Sequence, residues 1–107
     1  MIPRLASGIK ISALLRGVAA AGGFGVVVAR GDDTAGAIAI VTRERGETAL
    51  IAPMPASSGG HEWVVLARDE SVSDWIERAR RRDPDLWIIE LDIPDAARFV
   101  ARTLGDD

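Results

Sequence analysis

A chain of 107 residues, 48% hydrophobic and 27% charged, has the size and balance of one folded domain and lies far from the composition of a disordered chain. The lack of cysteine and the single histidine exclude a disulfide framework and a cysteine-based metal site, so packing has to hold the fold. A net charge of −3 excludes a general attraction to nucleic acid or to an anionic membrane, and any such binding has to be local. The opening residues, Met1-Ile2-Pro3-Arg4-Leu5, lack the apolar stretch of a secretory signal, and no apolar run is long enough for a bilayer. A cytoplasmic address is therefore expected.

In chain order, Ile11, Leu14, Leu15 and Val18 place one apolar stripe on a helix that starts near Ser7 and is stopped by Gly22-Gly23. Phe24 to Arg30 is apolar on both sides and reads as a strand covered on both faces. Its small residues Gly25 and Ala29, with Ala37, Ala39 and Val41 of a second strand over Ala37 to Arg43, suggest a shallow sheet face. The alanine-rich first helix could approach that face closely. Gly31 to Gly36 has the composition of a turn, and Glu44-Arg45-Gly46-Glu47 that of a short hairpin loop leading into a strand over 48–53. Pro53, Pro55 and Ser57-Ser58-Gly59-Gly60 connect to a fourth strand, Glu62 to Ala67, completing an expected meander.

A second helix starts at Ser71, with Asp74 three residues on as a capping box or Ser73 as the cap, and buries Val72, Trp75, Ile76 and Ala79. Asp83-Pro84 ends it, and Leu86 to Asp92 forms a fifth strand. After Pro94, Asp95-Ala96-Ala97 suits a third helix, while Arg98-Phe99-Val100 also fits a sheet edge; the helix is the favoured reading of 95–103. The fold class is thus α/β in the α+β sense. A mainly antiparallel sheet of about five strands is flanked by two or three helices, in the order α-β-β-β-β-α-β-α.

Several clusters carry a family likeness: Ser12-Ala13-Leu14-Leu15-Arg16, Ala21-Gly22-Gly23-Phe24, Arg30-Gly31-Asp32, Ala35-Gly36-Ala37 and Asp83-Pro84-Asp85-Leu86-Trp87. With them the chain, from Pro3 to Phe99, resembles the alphaproteobacterial domain-of-unknown-function family number fourteen ninety-one. The resemblance implies a small bacterial α/β domain with no assigned activity, so it transfers no catalytic or binding residue. The chain departs from the family at the C-terminus, where the family tends toward a Gly-Arg-His-Phe-like extended segment and this chain has Ala97-Arg98-Phe99-Val100.

Among residues that could carry chemistry, Arg78, Arg81 and Arg82 share one side of the second helix and could meet a phosphate or an acidic partner. The bland reading is equally physical: cations at a helix C-terminus complement the macrodipole, and Asp74/Arg78 and Glu77/Arg81 are favourable i,i+4 pairs. With Trp75 assigned to the buried stripe, no aromatic is expected beside these arginines. His61 suits acid–base work near neutral pH, but Glu62 beside it points to the opposite strand face, which favours a solvated loop histidine. Asp32 and Asp33, with Glu90 and Asp92, are the carboxylates that could meet around a hard cation, against the commoner role of turn aspartates bonding their own backbone. Trp63, Trp75 and Trp87 read as core residues joining three elements.

No nucleophile, base and charge stabiliser assemble, and no cofactor is implied. The leading expectation is a non-enzymatic accessory or protein-interaction domain, with a homodimer through a sheet edge or tryptophan patch as one form of it. The alternative is a weak nucleic-acid or phosphate binder acting through Arg78, Arg81 and Arg82, with Asp32 and His61 as further candidate contacts. No membrane partner is expected.

Overall fold

The structure, a computed structural model, describes residues 5–105; the first four residues, read above as lacking the apolar stretch of a secretory signal, lie outside it. Its elements are α1 (Ser7–Ala20), β1 (Phe24–Ala29), β2 (Ile38–Glu44), β3 (Glu47–Pro55), β4 (His61–Arg68), α2 (Ser71–Arg82), β5 (Trp87–Asp92) and α3 (Ala96–Leu104). The order is the expected one, and the expected boundaries hold to within a few residues. No described helix is long and apolar enough to cross a membrane.

Local chemistry explains most of these boundaries. Gly22, at φ 86°, lets the Gly22 and Gly23 amides fold back onto the carbonyls of Ala19 and Val18, which closes α1 in a Schellman motif. Arg45 and Gly46 both take positive φ, so the β2–β3 hairpin turns in two residues, with Glu44 paired to Glu47. Helix starts were harder to read. The capping box expected at Ser71 is absent: its hydroxyl turns back to the main chain of Arg68, and the Asp74 carboxylate holds Arg78 instead. Ser7 likewise makes no cap, because the Thr34 and Asp33 carbonyls already accept the first amides of α1 and the Ser7 hydroxyl donates to the Gly36 carbonyl.

The five strands form one mixed sheet in the order β1-β5-β2-β3-β4. Only β2-β3-β4 is a meander. β1 pairs antiparallel with β5, and β5 lies parallel to β2 through the α2 crossover. The expectation of a four-strand meander with β1 buried inside the sheet is therefore corrected: β1 is an edge strand. Ile88, Ile89 and Leu91 make β5 apolar on both faces, so an interior position, between β1 and β2, goes to the strand that arrives late in the chain.

Two cores sit on the two sheet faces. On one, Ile11, Leu14 and Val18 of α1 and Ala96 and Val100 of α3 pack on Ile38, Ile40, Ile51, Trp87, Ile89 and Leu91. Phe99 of α3 approaches Gly17 of α1 closely, and Ala96–Leu104 is helix, the favoured reading of this segment, rather than the extended segment toward which the family tends. On the other face Val72 and Ala79 of α2 pack on Ala39, Val41, Leu50, Ala67 and Ile88. The shallow face thus exists at Ala39, but α2 lies on it rather than α1, because α1 needs the deep isoleucine-lined side for its own Leu14 and Val18. The tryptophans divide accordingly, Trp63 and Trp87 against the first core and Trp75 against the second.

Candidate functional site

Three of the quoted sequence clusters, Arg30-Gly31-Asp32, Ala35-Gly36-Ala37 and Asp83-Pro84-Asp85-Leu86-Trp87, meet in one place. Gly31 and Gly36 lie so close to the Asp85 carbonyl that a Cβ at either would overlap it. The Asp32 amide donates to the Asp85 carbonyl, the Trp87 indole to the Asp32 carbonyl at 2.7 Å, and the Trp87 amide to the Ala37 carbonyl. The Asp32 carboxylate accepts from the amides of Thr34 and Ala35, the local turn role of an aspartate. Arg80 reaches over from α2 and donates to the carbonyls of Arg30, Pro84 and Leu86, the last at 2.6 Å. Arg30 stacks 5.2 Å from the centre of the Trp87 ring and pairs with Asp33. The main-chain groups of Asp32 thus tie one loop to another, while its carboxylate is held within its own turn.

The remaining carboxylates do not join it. Asp32 packs at the start of β5, whereas Glu90 and Asp92 lie near its end, and Glu90 is engaged by Arg43 at 2.7 Å. That hydrogen bond, reinforced by the Coulombic attraction, pushes the Arg43 guanidinium further up from its ordinary value. His61 opens β4 opposite Pro55 and lines a small cavity of about 140 Å³ with Lys10, Trp63 and Leu104. Among the described residues no three His, Cys, Asp or Glu side chains cluster as metal ligands.

The arginines predicted to share a helix side do so around a groove. Ser71, Asp74, Trp75, Arg78, Arg81 and Arg82 follow one face of α2, and Leu66 and Ala67 of β4 supply the facing wall of a cavity of about 450 Å³. A register shift between Leu50 and Ile51 leaves Leu66 as the extra residue of β4, and the strand edge there bends beside α2. Trp75 is half-buried and lines this groove, which corrects the expectation of no aromatic near the arginines. Helical periodicity placed Trp75 on the apolar stripe correctly; the periodicity could not show that the stripe overhangs the edge of the sheet.

Arg78 and Arg81 hold Asp74 and Glu77 in exposed i,i+4 pairs, and Arg82 forms no ion pair among the described residues. The hydrogen bond that Arg78 donates to the Asp74 carboxylate, then the charge of that carboxylate, raises the Arg78 pKa. Such exposed pairs are screened by water and contribute little, so either arginine can exchange its partner at little cost. Arg80, in the same run, faces away into the loop contacts.

Comparison with known proteins bears on the whole chain. The family model described as protein of unknown function (DUF1491) matches residues 5–101. A crystal structure of a DUF1491 family protein from Caulobacter crescentus is 30% identical with a TM-score of 0.78, covering 90% of this chain and 94% of that one. A solution structure of a protein from A. tumefaciens is 35% identical with a TM-score of 0.72, covering 87% and 89%. An NMR structure of a DUF1491 family protein from Caulobacter crescentus gives 31% identity and a TM-score of 0.73, covering 89% and 91%. No curated protein matches. The likeness extends over nearly the full length in sequence and fold alike, and the chain belongs to the DUF1491 family of proteins of unknown function.

Proposed function

We propose that this chain is a small cytoplasmic, non-enzymatic accessory domain that works by binding a protein, and that the groove between α2 and β4 receives an acidic segment of that partner. One observation carries the reading: a floor of Leu66, Ala67 and Trp75 lies beneath a rim of Arg78, Arg81 and Arg82 on a molecule of opposite net charge. An apolar side chain of the partner would cover the indole, and flanking carboxylates would take bidentate hydrogen bonds from the guanidinium forks.

Titration with a synthetic peptide alternating glutamate and leucine tests it. The Trp75 indole signal should shift on saturable binding, and the Arg81→Glu/Arg82→Glu double variant should lose the effect while remaining folded. No shift with that peptide would sink the proposal. The half-buried Trp75 beside guanidinium groups also favours a second reading, single-stranded nucleic acid stacked on Trp75. In that case a short oligonucleotide, not the peptide, would bind, with an affinity that falls steeply with salt.

A further inference from the structure

The two edges of the sheet differ. β4 carries His61, Glu62 and Arg68 along its length and is bulged at Leu66, devices that discourage pairing with another chain. β1 reads Phe-Gly-Val-Val-Val-Ala with no charged residue and no proline. Its register with β5 is regular from Phe24 to Val27, and the extra residue comes only at Val28. Phe24 is 68% exposed, and Val26, Val27 and Val28 are 42%, 38% and 50% exposed. Ile9 of α1, also exposed, borders the same edge across a groove shared with Leu15 and Val27.

We infer that β1 pairs antiparallel with β1 of a second copy, joining two five-stranded sheets into one. The outer side of an edge strand presents main-chain donors and acceptors, so its complement is another extended strand. The β1 edge is free of charge and apolar, so a charged strand would find nothing to pair with, whereas a second β1 matches it residue for residue. Pairing β1 with β4 would be head-to-tail and would propagate without closing; β1 with β1 is two-fold symmetric and closes at two copies. A dyad perpendicular to the sheet keeps faces on their own sides. Phe24 and Val26 of both copies then meet across the seam on the α2 side, and Val27 is covered from beside α1. With four regular residues, the seam is smaller than a standard interface, so the dimer dissociates on dilution.

Sedimentation over a wide concentration range tests the inference, together with amide exchange of β1. The wild-type chain should shift from monomer to dimer as concentration rises, with β1 amides exchanging more slowly in the dimer. Val26→Lys should stay monomeric with an unchanged melting temperature. A wild-type chain that sediments as a monomer at every concentration overturns the inference. So does a dimer that persists in Val26→Lys with β1 exchange independent of concentration, since that dimer forms elsewhere. If Val26→Lys does not fold, exchange in the wild-type chain decides alone.

Discussion

Four arginines in five positions of α2 look equivalent in sequence and are physically of two kinds. Arg80 is half-buried and donates to three main-chain carbonyls from two separate loops, so removing it leaves the part-buried Leu86 carbonyl without this donor and unties the loops. Arg81 is exposed and pairs with Glu77 at the helix surface. Arg80→Met is expected to destabilise by about 1–3 kcal/mol and Arg81→Met by no more than about 0.5 kcal/mol, read from denaturant midpoints. Equal midpoints in the two variants would mean that the Arg80 contacts do not tie the loops together. The same distinction separates Asp32, held in its own turn, from a ligand-binding carboxylate. Both roles were open in the sequence, since an aspartate in a turn and an aspartate in a site are the same residue until the neighbouring chain is placed.

Helix α2 sits on the sheet where Ala39, Ala67 and Ala79 leave little depth between helix and strands. Enlarging Ala39 to leucine forces methyl and methylene groups into a position with no exposed surface, and should cost about 1–3 kcal/mol by overpacking. The shift should be felt by α2, so the Trp75 signal should move in Ala39→Leu while that of Trp63, on the opposite face, stays. A small face was legible from the alternation of Ala37, Ala39 and Val41. Which helix takes it was not, because α1 and α2 both carry alanines and apolar stripes, and only the volumes on each side decide between them.

At the scale of the molecule, β5 holds β1 and β2 together, although about sixty residues separate it from β1 in the chain. A fragment ending before Trp87 loses the interior strand β5 and with it Ile88, Ile89 and Leu91, which line the two cores between them. Such a fragment is expected to lack cooperative thermal unfolding, measured by circular dichroism, even though it retains β2, β3 and β4. A cooperative transition in it would show that the meander and α1 form a core of their own.

Residue type and spacing determined the elements: apolar periodicity set the helices and strands, Gly22 and Gly46 set two of the turns through their positive φ, and Asp83-Pro84 stopped α2. These depend on neighbours within a few positions, which a sequence contains in full. Strand order, the face each helix covers and the half-exposure of Trp75 in an arginine-rimmed groove depended on the tertiary structure. They arise from competition among distant apolar surfaces for a limited interior, and the outcome depends on shapes that exist only once the chain has closed on itself.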